Sequence, residues 1–209
     1  MYNCANCVLK GCTRGKLEES LPNCPNKNKE IQEKAKALYQ EEENKKIAYN
    51  AAIVEAQGYG RKTRIEEIMD FARKCNYKKV GLLFCLGLSK EAKEVYNILT
   101  YHDFEVISVL CKNGGVGKKY LEISEEDTIS GTCDEVMCNP IGQALLMNDQ
   151  DTDFNIILGL CVGHDTLVMK YLNAPMTTLA VKDRVTGHNP LAAIYLSESY
   201  YKKLYSKEK

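Results

Sequence analysis

Four apolar runs of strand length occur in the second part of the chain, at 78–85, 104–111, 154–161 and 177–183. Continuous apolar runs are typical of strands that are buried on both faces of a parallel sheet. Segments with helical periodicity separate these runs, and a shorter segment, 134–138, is interpreted as a further strand. The alternation predicts an α/β fold, a three-layer Rossmann-like parallel sheet.

Start signals indicate where the helices of this fold begin. Thr63 and Ser89 are predicted N-caps for helices over 63–75 and 89–102. Asn139 followed by Pro140 predicts another helix start. The same pair of residue types at 189–190 predicts a last helix that continues to about 205.

The first part of the chain differs in composition and in hydrophobic periodicity. Residues 29–57 are rich in Ala, Glu, Lys and Gln and predict one helix that closes near Gly58. Residues 1–27 contain four cysteines and no sustained periodicity, which indicates a loop that a metal or another cross-link must organise. We therefore predict two domains: a Cys-rich metal-binding segment plus helix at 1–60, and a Rossmann-like domain with a Cys-lined crevice at 61–209.

Composition narrows the class of protein. Lys plus Arg and Asp plus Glu both total 28, so no net field favours nucleic acid or an anionic membrane, and neither is expected as a partner. The N-terminus lacks a signal-peptide pattern and no apolar run approaches the roughly 20 residues of a membrane span, which predicts a cytoplasmic protein. Ten cysteines in that compartment indicate metal ligands or redox groups rather than disulfides.

Cysteines recur at the ends of the predicted strands. These residues are Cys85, Cys111, Cys138 and Cys161. In open parallel sheets, ligands bind outside the carboxyl ends of the strands, so four thiolates could meet there around one metal centre. The alternative for each one is a buried cysteine that packs as a small hydrophobe. Cys75 and Cys133 fit no such pattern and are interpreted as structural.

A second group of cysteines lies near the N-terminus. Cys4, Cys7, Cys12 and Cys24 form a Cys-x2-Cys-x4-Cys motif with a fourth cysteine after an 11-residue gap. A Cys-x2-Cys turn brings two sulfurs to one side, which suits a metal. Tetrahedral zinc and a [4Fe–4S] cluster both accept four thiolates, so the ligand type leaves both open.

Polar residues near the strand ends are candidates for catalysis or substrate binding. His164 and Asp165 follow Cys161, and Lys182 and Arg184 close the last predicted strand. Capping of a helix start and solvated charge are the alternatives for these residues. The segment 112–118, KNGGVGK, offers glycines and lysines after a strand, but it lacks the Gly-Lys-Ser/Thr order of a phosphate loop.

The combination of CANC, FCLGLSKEA, MCNPIGQA, GLCVGHD and AVKDR with HNP resembles a family of uncharacterised bacterial and archaeal proteins, DUF1847, described as predicted metal-binding proteins. The resemblance extends over nearly the whole chain. It implies metal ligands at the cysteines of both groups, 4, 7, 12, 24, 85, 111, 138 and 161. The family is typical of anaerobes, which implies an iron–sulfur cluster rather than zinc, and it brings no established reaction.

Three functions are compatible with these residues. The first is an enzyme of redox or sulfur chemistry on a small molecule, with a cluster at the strand ends and a second, electron-transferring cluster at the N-terminus. The second is a non-catalytic zinc or metal protein used for structure, sensing or delivery. The third is a binding module for a nucleotide or other small anion in which the strand-end cysteines are incidental. We favour the first; whether it is an enzyme, its redox partner and its oligomeric state stay open.

Overall fold

The computed structural model describes residues 1–207. The chain divides into two compact units, Met1–Arg61 and Lys62–Lys209. Each is described by itself below. Within the described residues, no helix is both long enough and apolar enough to cross a membrane.

The first unit contains short 3-10 turns followed by two helices. The turns, at Cys4–Asn6, Gly11–Arg14, Leu17–Glu19 and Pro25–Lys27, carry the N-terminal cysteines. Helices α1 and α2 then cover Lys29–Leu38 and Glu42–Gly58. The prediction of one continuous helix is therefore wrong, although its end at Gly58 is right.

The break between α1 and α2 has a local cause. The Asn44 side-chain amide donates to the carbonyl of Leu38 at 3.0 Å and to the Glu41 carboxylate at 2.9 Å. The first contact satisfies a carbonyl at the end of α1, where helix carbonyls have no partner within the helix. A side chain six residues further along the chain thus stabilises the interruption.

The second unit is an α/β domain with a parallel sheet, which confirms the predicted fold class. In the described residues, strands β1 Lys79–Phe84, β2 Glu105–Leu110, β3 Phe154–Leu158 and β4 Met176–Ala180 follow the order β2-β1-β3-β4, and every pairing is parallel. The elements in chain order are α3 Arg64–Lys74, β1 Lys79–Phe84, α4 Ser89–Tyr101, β2 Glu105–Leu110, α5 Pro140–Asp149, β3 Phe154–Leu158, α6 His164–Tyr171, β4 Met176–Ala180 and α7 Leu191–Tyr195.

Two apolar cores cover the two faces of the sheet. Successive strand residues point to opposite faces, so Leu82 and Ile156 pack with α3 and α4, whereas Leu83 and Ile157 pack with α5 and α6. All four of these side chains are almost completely buried. This burial on both faces explains why the sequence shows continuous apolar runs rather than alternation.

Several predicted boundaries differ in the structure. Segment 134–138 is not a strand; it contributes a single antiparallel bridge, Gly117 to Val136. Ser89 is the first residue of α4 rather than its N-cap, and its hydroxyl donates to the Leu86 carbonyl at 2.7 Å. The last helix begins at Leu191, with Pro190 rather than Asn189 as its N-cap, and it ends at Tyr195; a separate 3-10 turn, Lys202–Tyr205, follows.

Other helix starts agree with the prediction. Glu66 accepts hydrogen bonds from the backbone N–H and the hydroxyl of Thr63, at 2.7 and 2.6 Å, in a capping box. Asn139 accepts from the Gly142 N–H at 2.9 Å, and Pro140 is the first residue of α5. The second start matters for the site, because Cys138 directly precedes it.

A buried polar side chain, that of Asn155, lies between the two central strands, β1 and β3. Asn155 on β3 is paired in register with Gly81 on β1, and its amide oxygen accepts from the Thr152 hydroxyl at 3.0 Å. A Cβ on Gly81 would overlap with that oxygen and would lie 2.7 Å from the sulfur of Met147. The absence of a side chain at position 81 is thus a packing requirement.

We expect Gly81→Ala to lower the free energy of unfolding by about 1–3 kcal/mol, because the side chains of Asn155 and Met147, both fully buried, would have to move to admit the methyl group. Gly117→Ala is the matched control: the nearest atom to its added Cβ lies at 3.7 Å, so the change should stay within about 0.5 kcal/mol. Urea denaturation of both variants measures the difference. Equal stabilities for the two variants would contradict the packing requirement.

Candidate thiol-lined site

The four cysteines assigned to the strand ends line one cavity of about 710 Å³, together with His164, Lys182 and Arg184. The register explains this convergence. Phe84 is paired with both Leu110 and Leu158, so the residues that follow these three strands are level with one another. Cys85 and Cys111 come directly after β1 and β2, and Cys161 lies three residues beyond β3.

Backbone hydrogen bonds fix the positions of these cysteines. The Cys85 N–H donates to the Leu158 carbonyl at 3.2 Å, and the Cys111 N–H donates to the Phe84 carbonyl at 2.9 Å. The Cys111 carbonyl accepts from the N–H of Asn139 at 2.7 Å, which brings Cys138 to the rim. Cys138 therefore reaches the site from a loop rather than from the predicted strand.

Gly159 allows the chain to turn between β3 and Cys161. Its φ is +65°, a conformation that side chains with a Cβ rarely adopt, and an added Cβ would overlap with Leu88. Its N–H donates to the Ala180 carbonyl at 2.7 Å, and the Leu160 carbonyl accepts from the Lys182 N–H at 3.0 Å. These contacts place Cys161 and Lys182 beside each other.

Gln143 on α5 forms hydrogen bonds to the backbone at the same edge of the sheet. Its side chain is fully buried, and its amide donates to the carbonyls of Val109 and Phe84 at 2.7 and 3.3 Å. Phe84 is the last residue of β1 and directly precedes Cys85, and Val109 is the last residue but one of β2, two residues before Cys111. The amide therefore joins α5 to both strand ends.

Three of the cavity thiols, Cys85, Cys111 and Cys138, shift one another's pKa. Hydrogen bonding from Cys85 toward Cys111, and from Cys111 toward Cys138, is the largest cause of these shifts. The donated bond and then burial raise the pKa of Cys85 to about 12, and the bond to Cys138 also raises the pKa of Cys111. Cys138 accepts a bond and faces the ammonium group of Lys112, which together lower its pKa to about 7.

Hydrogen-bond donors other than thiols also face the sulfurs. The Leu86 N–H donates to Cys111 Sγ at 3.3 Å, and the Arg184 guanidinium donates to Cys161 Sγ at 3.4 Å. Lys112 and Lys182 line the same cavity. The Leu86 N–H acts against the raised pKa of Cys111, and the charge of Lys182 acts against that of Cys85, but neither reverses the shift.

Of the other predicted catalytic residues, His164 lines the cavity and Asp165 does not. Burial lowers the pKa of the half-buried His164, so its imidazole is neutral near pH 7. Asp165 is not among the described residues that line the cavity; its carboxylate accepts from the Thr166 N–H at 2.8 Å at the start of α6. His188, in the HNP segment that was not among these candidates, also lies outside the cavity lining, and its Nδ1 accepts from the Asp183 N–H at 3.1 Å.

Residues 112–137, here called the cavity loop, supply a wall that the sequence did not predict. A pair of hydrogen bonds, Lys118 N–H to Glu135 and Met137 N–H to Val116, each 2.8 Å, closes the base of this loop. Lys118 and Glu135 also form an ion pair at 3.1 Å, with side chains only 16% and 13% exposed. The sequence features that could have indicated this wall are the apolar residues of a Gly-containing segment that lacks helix or strand periodicity.

The N-terminal cysteines stand apart in the first unit. Cys4 and Cys12 are exposed, and Cys7 and Cys24 are half-buried. Within the described residues, no cysteine forms a disulfide. Within residues 1–207, no group of three or more His, Cys, Asp or Glu side chains is arranged to hold a metal ion, and this applies to both cysteine groups as their side chains stand.

The two cysteines interpreted as structural lie outside both groups. Cys75 is buried in the core beside α3 and α4. Cys133 belongs to the cavity loop but does not line the cavity, and its thiol faces the Ile123 carbonyl at 4.0 Å.

Residues 24–179 match the model of the family described as "Protein of unknown function (DUF1847)". The chain belongs to this family. The matched part includes Cys24 and the four cavity cysteines, whereas Cys4, Cys7 and Cys12 precede it and Lys182 and Arg184 follow it.

An uncharacterised protein of Methanocaldococcus jannaschii is 47% identical to this DUF1847 protein over 204 residues, which cover 96% of this chain and 97% of the relative. No solved structure matches the chain. The comparisons thus establish the family but name no reaction, so any inference about chemistry depends on the geometry of the site.

In the metal-free DUF1847 protein, we expect Cys138 to be alkylated by iodoacetamide about tenfold faster at pH 8 than at pH 6, since its thiolate forms around pH 7. Lys112→Met removes the nearby positive charge, raises this pKa and slows the reaction at pH 7. Peptide mapping by mass spectrometry measures both rates.

Cys133 is the internal reference, because desolvation and the neighbouring Glu125 raise its pKa. It should react more slowly than Cys138 at pH 7. Lys90→Met, on the exposed face of α4, controls for loss of a lysine elsewhere. A Cys138 rate that does not change between pH 6 and 8 would contradict the lowered pKa.

Proposed function

We propose that the cavity holds a metal–thiolate centre, an iron–sulfur cluster bound by Cys85, Cys111, Cys138 and Cys161, for redox or sulfur chemistry on a small molecule. The observation that supports this most is the convergence of four thiols from three strand ends and one helix start on a single cavity. Four cysteine thiolates are the usual ligands of such clusters.

The surroundings of the sulfurs fit a negatively charged group. The Leu86 N–H and the Arg184 guanidinium donate to two of the sulfurs, and such hydrogen bonds are among the features that tune a cluster. Lys112, Lys182 and Arg184 offset the charge of deprotonated thiols. Because no three thiols converge on a point suited to one ion, side chains must rotate for binding, and a cavity of about 710 Å³ leaves room for that.

When bound, such a group would supply electron transfer or Lewis-acid chemistry. The residues of the chain have separate tasks. Lys112 and Lys182 bind and orient a negatively charged part of the substrate, and neutral His164 accepts or donates a proton at its imidazole. The cavity loop excludes water from the thiol edge.

We extend the proposal to the N-terminal unit, where Cys4, Cys7, Cys12 and Cys24 would bind a second metal group. The 3-10 turn Cys4–Asn6 brings the backbone of Cys4 and Cys7 together, with a Cys7 N–H to Cys4 carbonyl bond of 3.1 Å. A Cys-x2-Cys turn of this kind suits either zinc or iron.

One observation favours a second candidate function, a non-catalytic zinc protein. Cys111 influences the pKa of both Cys85 and Cys138, so three of the four cavity thiols are neighbours. Four cysteine thiolates are also the ligand set of a structural tetrahedral zinc site. Metal analysis separates the two candidates.

We expect the full chain, purified without oxygen, to be brown and to contain iron and acid-labile sulfide in equal amounts, about four of each per cluster. Cys161→Ser should lose one centre, and the double variant Cys4→Ser with Cys7→Ser should lose the other. Cys133→Ser, whose thiol does not line the cavity, should retain both. Visible spectra with iron, zinc and sulfide assays provide the measurement.

Two results would contradict the proposal. Zinc without sulfide, lost in Cys161→Ser, would establish the zinc alternative at the cavity. Metal contents that do not change in Cys161→Ser and in Cys85→Ser would leave the cavity cysteines without a metal role.

A further inference from the structure

The cavity combines two kinds of lining. Lys112, Lys182 and Arg184 lie with the four thiols at the edge of the sheet. The cavity loop contributes mainly apolar side chains, namely Val116, Tyr120, Leu121, Ile123, Ile129 and Met137. A ligand that contacts both parts must carry a charged or polar end and an apolar body.

The basic groups have no carboxylate partner among the described residues. Lys112 donates to the Val136 carbonyl, and Arg184 donates to a sulfur. Lys182 forms no ion pair in the described part of the chain, and its ammonium nitrogen lies near Gly87, 3.3 Å from where a Cβ would be. Lys118 differs, since Glu135 neutralises it. When the four cysteines are thiols, as in the metal-free chain, the lining therefore has an excess of positive charge, which attracts an anion.

The apolar part is unusually exposed for side chains of this size. Tyr120 is 76% exposed and Ile129 is 91% exposed, yet both border the cavity. Burial of such side chains against an apolar ligand is favourable by about 25 cal/mol per Å². The volume of about 710 Å³ also lies in the range of sites for organic molecules and exceeds what an inorganic anion fills.

We propose that the cavity binds a small amphipathic anion, a carboxylate or phosphate group on an apolar body of about six to ten carbon atoms. Its charged group contacts Lys112, Lys182 and Arg184, and its body lies against the cavity loop. The inference rests on the proposed function in that this molecule is the substrate of the thiol centre. Its binding depends on the cations and the loop alone.

Isothermal titration calorimetry of the full chain tests the proposal with four compounds: octanoate, octyl phosphate, octanol and acetate. We expect at least one of the two octyl anions to bind about tenfold more tightly than octanol, which lacks the charge, and than acetate, which lacks the apolar body. The ratio of the two anions identifies the preferred charged group.

Two variants test the two halves of the cavity. Lys182→Met keeps the length of the side chain and removes the charge, and Ile129→Ser removes an apolar contact from an exposed position, so both should fold. Each should weaken binding of the octyl anion about tenfold. The matched controls are Lys90→Met on α4 and Ile194→Ser on α7, which lie outside the cavity lining and should bind within about twofold of the wild type.

The proposal is overturned if neither octyl anion binds saturably, if octanol binds as tightly, or if the controls weaken binding as much as the cavity variants. Iron and sulfide assays on the same preparations test the proposed function separately. Anion binding by a metal-free chain would leave this inference in place and contradict only the cluster.

Discussion

The site depends on the in-register parallel alignment of β1, β2 and β3. Phe84 is paired with both Leu110 and Leu158, so three strands end level at one edge. A shift of one residue would move a strand end by about 3.3 Å and turn its side chains to the opposite face. Packing on both faces opposes such a shift, because each apolar side chain of β1 has a core to fill. The stability of the sheet and the convergence of the thiols therefore have the same physical origin.

Two parts of the chain contribute to the cavity in different ways. The sheet edge supplies thiols and cations on backbone that is held by strand pairing and by the buried amide of Gln143. The cavity loop supplies apolar contact from a segment with no regular strand or long helix. Rigid elements suit reactive groups, whose mutual distances matter, and loops suit the contacts that decide which molecule enters.

The fold class could be predicted from the sequence because burial on both faces leaves a strong signal, a run of apolar residues of strand length. The positions of Cys85, Cys111 and Cys161 followed from the rule that parallel strands end at one edge. The sequence places Cys138 at this same edge on the ground that 134–138 is a strand. That ground is wrong, since the segment forms one bridge only. The cavity loop could not be predicted, because its structure depends on a long-range pair, Lys118 with Glu135, that no local pattern encodes. The break at 39–41 is local, but it depends on two particular contacts of the Asn44 side chain that the helical composition of this segment does not indicate.

The closed base of the cavity loop has a consequence for how the family can diversify. Because the Gly117–Val136 bridge and the ion pair next to it join the two ends of the segment, residues between them can be inserted, removed or exchanged without displacing the strands. Relatives could then acquire different ligand preferences through this one excursion while the sulfur geometry beneath it stays the same. Reaction chemistry and molecular recognition would evolve as separate traits within a single small domain.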